Sequence, residues 1–246
     1  MAGEVEAHSR SVGQIRPIQA VAFGTLVRMR RLGEAVYELD EAHGYEARVL
    51  VRSILEIYYN YAWMRLRRPH QRANRFLAFG VLDTIRIMEN WPESDWGTDH
   101  HSELAKLKRS RRRHRHLFRK KDSKGVLRWA RTWADVSSLE ARIAEVHRTA
   151  RAGLMYAFYG AFSGTAHGSP YSFTEVLTRG SKGPRARTKA EMSTRQALSG
   201  AGMALLAAMV SVCTDLDRPE SLRLRVQSEF DAYRVRAESE FDGRIV

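Results

Sequence analysis

Arg48, Arg52 and Glu56 follow one another at four-residue steps, a spacing that places all three on one face of a helix. Asn60 continues the row, with Tyr59 and Trp63 beside it. The row borders an apolar stripe, so Arg52 and Glu56 are expected to be partly buried, where opposite charges need each other. Two uses fit: a salt bridge that fixes packing, or a site in which Arg52 binds a phosphate and Glu56 orients a base. A second constellation is the run from Tyr159 to Pro170, YGAFSGTAHGSP, in which Ser163 and His167 lie four apart. They share a face of a helix that ends immediately afterwards, where the negative end of the dipole favours protonated histidine. Gly160, Gly164 and Gly168 repeat along that face and let another backbone or a ligand approach. The bland use of His167 is to cap a tight helix crossing. The chemical use is proton transfer, because RNA cleavage needs no metal when a base activates the 2′-hydroxyl and cations stabilise the phosphorane. Arg52, Glu56, Ser163 and His167 are therefore the catalytic candidates.

A third feature concerns binding. Between residues 106 and 131, thirteen lysines and arginines face one acid, Asp122, a local excess close to the formal charge of +13 for the whole chain. Such self-repelling charge favours an anionic partner over a solvated helix. Lys108, Arg109, Arg111, Arg112, Arg113, Arg115, Arg119, Lys120 and Lys121 are the expected nucleic-acid contacts, and Phe118, Trp129 and Trp133 offer stacking surfaces suited to RNA more than DNA. The accompanying apolar face is thin for a membrane surface.

Other chemistry is poorly served. The chain contains no G-x-x-x-x-G-K-[ST] or G-x-G-x-x-G phosphate loop, no G-x-S-x-G elbow and no His/Cys spacing suited to structural zinc. Asp99, His100, His101 and Glu103 read as solvated loop residues, so neither metal nor cofactor is expected. The lone cysteine, Cys213, sits among Met209, Val210 and Val212 and reads as a buried thiol, consistent with a cytoplasmic protein. No secretory layout opens the chain, and no apolar run is expected to span a bilayer.

The elements that must position these residues are helices. Apolar residues recur at helical spacing from Ile15 to a stop at His43-Gly44, from Ala47 to Pro69, and from Gln71 to Glu89. A loop follows from Trp91. Ser102 to Lys121 reads as an exposed basic helix or partly disordered arm, and Ser137-Ser138-Leu139-Glu140 as a capping box opening a helix toward Arg151. Residues 179–192 read as a mobile basic linker. Small apolar residues (Ala201, Ala204, Ala208) mark a closely packed helix after Ser193, and a charged helix closes the chain to about Phe241. The expectation is an all-α helical bundle over 14–216, with a flexible N-terminus at 1–13, the basic segment as an insertion, and an appended helix at 219–246.

The segments ARVLVRSILEIYYNY (47–61) and YAFYGAFSGTAHGSP (156–170), with WARTWADVSSLEARI between them, resemble a mostly bacterial, all-helical family. Its members pair an R-S-x-x-E helix with a Y-x-x-x-S-x-x-x-H-G-S helix end, and the resemblance covers roughly residues 20–215. More distantly the chain is similar to the HEPN superfamily, helical bundles often found as RNases in toxin and antiphage systems. Their hallmark is R-x(4–6)-H, in which arginine holds phosphate and histidine moves a proton. Before His167 those positions hold Gly160, Ala161 and Phe162. The pattern does occur at Arg65/His70, Arg109/His114, Arg109/His116, Arg111/His116 and Arg142/His147, but 34 of the 41 basic residues are arginine and generate such pairs by composition. Arg142/His147 lies in a helix and reads as a solvated face. The resemblance implies an HEPN-like protein acting on RNA as a metal-independent endoribonuclease of a toxin or defence system, as a homodimer or with a partner from the same operon. The alternative is a non-catalytic nucleic-acid-binding or complex-forming protein.

Overall fold

The computed structural model describes residues 15–39, 43–90, 92, 99–121, 125–129, 132–134, 138–149, 159, 177–180, 183–186 and 194–241. The fold is all-α. Helix α1 (Pro17–Glu38) starts on a proline, whose missing N–H costs nothing at the first turn, and buries Ile18, Val21, Ala22, Leu26 and Met29. Helix α2 (Gly44–Leu66) buries Ala47, Val51, Ile54, Leu55, Tyr58 and Tyr61 along the stripe read from the sequence. His43 and Gly44 thus open α2 instead of closing α1, which has already ended at Glu38. Helix α3 (Pro69–Glu89) again begins on proline, and its N-cap, Arg68, stands in the left-handed region at φ 48°.

Helices α4 (His100–Arg113) and α5 (Arg115–Phe118) carry most of the basic segment, which then turns into strand β1 (Arg119–Lys121). That strand pairs antiparallel with β2 (Leu127–Trp129), Arg119 opposite Trp129. Helix α6 spans Leu139–Thr149. Its cap is Ser138, whose hydroxyl accepts the Ala141 N–H at 3.1 Å, one residue later than the capping box predicts. Within the expected linker at 179–192, β3 (Leu177–Gly180) and β4 (Gly183–Ala186) form a second antiparallel pair, Gly180 opposite Gly183. The ladder satisfies backbone groups that the polar, basic side chains gave no reason to expect in a strand.

Helix α7 (Thr194–Asp215) packs on α1 and α2, and α8 (Glu220–Phe241) packs on α7. Ala197, Ala201, Ala204 and Ala208 are buried, letting α7 approach its neighbours closely, as their size predicts. The stretch Ala197–Asp215, at mean hydropathy 1.8, is long and apolar enough to cross a membrane, contrary to the sequence reading, and 56% of it is buried in the bundle. Cys213 is fully buried there, and burial pushes its thiol up. Helix α2 is the hub, touching α1, α3, α6 and α7. Its far end is tied to α7, where the buried Tyr61 hydroxyl donates to Asp215 Oδ2 and Arg65 Nε reaches the same oxygen at 3.0 Å. Burial pushes the neighbouring Tyr58 up to about 12.

Candidate functional site

The row Arg48, Arg52, Glu56 forms as its spacing requires. Arg52 Nη2 lies 2.8 Å from Glu56 Oε1, with the two side chains 11% and 35% exposed. Arg48, one turn earlier, is fully enclosed. What covers the row is α6, packed on α2. It brings Arg142, only 8% exposed, into the field of Glu56 and of Glu140. Burial lowers the Arg142 pKa, while Glu140, Glu56 and Tyr159 oppose that shift. Glu140 is held below the usual carboxylate range by its own backbone N–H and the Ser138 hydroxyl, with Arg142 and Arg52 adding to the effect. The Arg52–Glu56 ion pair and the buried Arg142 therefore lie in one field where α2 and α6 pack, with Glu140 at its exposed edge.

Tyr159, the first residue of the second motif, is docked against this group. The Arg52 guanidinium lies 5.8 Å from the Tyr159 ring centroid, and Tyr59 meets the same ring edge-on at 6.2 Å. The Tyr159 hydroxyl is buried without a hydrogen-bond partner among the described residues, as is Asn60 Oδ1. The two sequence motifs thus touch at Arg52 and Tyr159. Ser163 and His167 lie outside the described residues.

One turn along α2, the buried Tyr59 hydroxyl stands 3.2 Å from Nε2 of His147. Desolvation lowers the His147 pKa, so its imidazole is neutral at pH 7. A neutral imidazole carries one N–H and one lone pair, so in its Nε2–H tautomer it donates to the tyrosine oxygen and keeps the Nδ1 lone pair free to take a proton. Arg142 and His147 form an R-x(4)-H pair, and the sequence reading of them as a solvated face is corrected here: α2 covers the face of α6 that carries Arg142. Next along, Trp63 Nε1 donates to Glu145 Oε2 at 2.6 Å, completing the α2–α6 contact.

From His100 to Phe118 the basic segment is helical, the first of its two expected forms, and docked on the bundle. Phe118 is fully buried and meets Phe79 of α3 at 5.6 Å, and Leu104 is buried from α4. Lys108 Nζ is 2.9 Å from Glu89 Oε1. Phe118 and Trp133 are core residues, so the stacking role expected of them is withdrawn. The ring of Trp129 lies under the guanidiniums of Arg111 and Arg119, at 5.4 and 5.6 Å. Arg109, Arg112, Arg113, Arg115 and Arg119 are exposed, and Arg111 is half-buried. The side chains of Lys120 and Lys121 lie outside the description. No cluster of three or more potential metal ligands forms among the described residues; His100 and His101 simply lie ring to ring at 6.2 Å.

Residues 19–184 match a family described as "Family of unknown function (DUF5677)". No curated protein and no solved structure matches the chain. The matched region begins within the first turn of α1, runs through α6 and β3, and ends before α7, although α7 packs on α1 and α2.

Proposed function

We propose that this chain, which belongs to the family of unknown function DUF5677, acts on RNA as an HEPN-like, metal-independent endoribonuclease. The observation that carries the reading is the Arg142–His147 pair, arranged as R-x(4)-H, against Arg52, Glu56 and Tyr59. In the step this chemistry implies, neutral His147 takes the proton of a ribose 2′-hydroxyl. The 2′-oxygen bonds to phosphorus, the phosphorus–O5′ bond breaks, and the imidazolium returns the proton to the departing 5′-oxygen. Arg142 and Arg52 stabilise the phosphorane, and Glu56 and Tyr59 position Arg52 and His147 respectively. The products are a 2′,3′-cyclic phosphate and a 5′-hydroxyl. The exposed arginines of α4 and α5 supply sequence-independent attraction for the phosphate backbone.

The Arg52–Glu56 pair beside the buried Arg142 favours a second reading, in which these charges lock α2 to α6 in a non-catalytic RNA-binding protein. Cleavage of single-stranded and hairpin RNA in EDTA separates the two. His147→Gln and Arg142→Lys, folded by circular dichroism, should each lose about a hundredfold or more in rate. Cleavage at the wild-type rate in both would leave the lock as the role of these residues. His167→Ala and Ser163→Ala, in the same assay, report on the second motif.

A further inference from the structure

A separate feature lies beyond Trp63, where the end of α2 meets the start of α3. A cavity of about 340 Å³ is lined there by Trp63, Arg67, Arg68, Gln71, Arg72 and Arg75, with Trp133 and Leu117 closing it. The lining holds four guanidiniums and no carboxylate. Arg67 is mostly exposed and reaches Glu145 loosely, at 3.7 Å. Arg68 and Arg75 make no ion pair among the described residues, and Arg75 Nε is buried without a hydrogen-bond partner there. Concentrated unpaired positive charge beside a cavity is costly for a folded protein unless an anion occupies it. The N-terminus of α3 adds to the effect: it has no acidic residue in its first turn and no side-chain cap.

We infer that this cavity binds a nucleotidyl phosphate, with Arg68 and Arg75 on the phosphate and Arg72 beneath the base. Arg72 is built for that second task. Its guanidinium lies 3.5 Å from the Trp63 ring centroid and donates through Nη1 to the Trp63 carbonyl at 2.7 Å. A guanidinium stacked against an indole is a recurring platform for a nucleobase. The volume lies at the lower end of small-ligand pockets and suits one nucleotide. Arg68 holds its place at φ 48°, a conformation that glycine adopts without strain. The cavity also abuts the α2–α6 group. Trp133 lies beneath the Arg142 guanidinium at 5.5 Å, and Trp63 donates to Glu145, so an occupant would bear on α6. The assignment does not depend on cleavage at that group.

Tryptophan fluorescence titrations with adenosine, AMP and an oligoadenylate hexamer test it, using the full chain carrying His147→Gln so that cleavage cannot intervene. AMP or the hexamer should bind and adenosine should not. Arg68→Gly should keep or raise the Tm, because glycine relieves the backbone, yet weaken binding about tenfold or more. Arg75→Gln should weaken it similarly. Equal affinity for AMP and the hexamer identifies a free nucleotide as occupant. Tighter hexamer binding that remains sensitive to Arg68→Gly identifies a phosphate of a polynucleotide. Absence of binding, adenosine binding as well as AMP, or wild-type affinity in both Arg68→Gly and Arg75→Gln would overturn the inference.

Discussion

His147 carries the sharpest consequence at the level of single residues, because its protonation state bears on both stability and chemistry. Desolvation lowers its pKa in the folded chain below the ordinary histidine value. The unfolded chain therefore binds the proton more readily, and folding stability rises with pH until it levels off above about 6.5. As pH falls below that value and through the folded pKa, this contribution is lost. Urea unfolding between pH 5 and pH 8 should show that slope in the wild type and a shallower one in His147→Gln; identical slopes would mean that packing does not lower the His147 pKa. If His147 is the base, cleavage also rises with pH through its lowered pKa. The sequence made Arg52–Glu56 legible because an i,i+4 pair depends only on helical geometry. It could not single out Arg142 and His147, since arginine is so abundant that R-x(4)-H carries no information by itself. Which face of α6 meets water depends on α2, nearly a hundred residues earlier in the chain. Tyr61 and Asp215 were likewise invisible as partners, being 154 residues apart.

Among the elements, α7 and α8 are matched by a missing side chain. A Cβ built at Gly202 would stand 2.6 Å from the hydroxyl oxygen of Tyr233 and 2.7 Å from its Cζ. Both are parts of a rigid ring whose hydroxyl lies 3.4 Å from the Leu198 carbonyl. Gly202→Ala should therefore destabilise by about 1–3 kcal/mol through overpacking, despite a helix-propensity gain of about 1 kcal/mol. In a Tyr233→Leu background the same change should be neutral or stabilising, and a double-mutant cycle by chemical denaturation reads the difference. The basic segment depends on Phe118 in a comparable way. Removing its ring should cost about 3–5 kcal/mol and expose 106–121 to trypsin, so Phe118→Ala should be cut there faster than wild type. An unchanged cleavage rate would mean that the segment is not anchored through this side chain. The sequence showed the charge of α4 and α5 but too few apolar residues to imply docking. One fully buried phenylalanine at the end of a short helix was enough to provide it.

Across the whole molecule the question is where a formal charge of +13 goes. Some of it is neutralised locally, as by Lys108 with Glu89 and Lys106 with Glu103. The exposed arginines between 109 and 119 are left facing outward. Charge reversal at Arg111, Arg112 and Arg113 should weaken RNA binding and lower the salt slope of log affinity by roughly two for single strands. Affinity and slope both unchanged would move the RNA-binding surface elsewhere, the arginine cavity at the start of α3 being the next candidate.

The sequence by itself determined the helical class, the apolar faces of α1, α2 and α3, the small-residue helix α7 and the Arg52–Glu56 row. All of these follow from periodicities of a few residues, which local geometry converts directly into structure. Tertiary structure alone decided that Arg142 is buried, that Tyr159 meets Arg52, and that four arginines around residues 67–75 line a cavity. Each of those facts requires α6, α5 or Tyr159 to pack against α2 or α3. Burial of a charge is a property of what packs against it, and no window of sequence around the charge contains that neighbour.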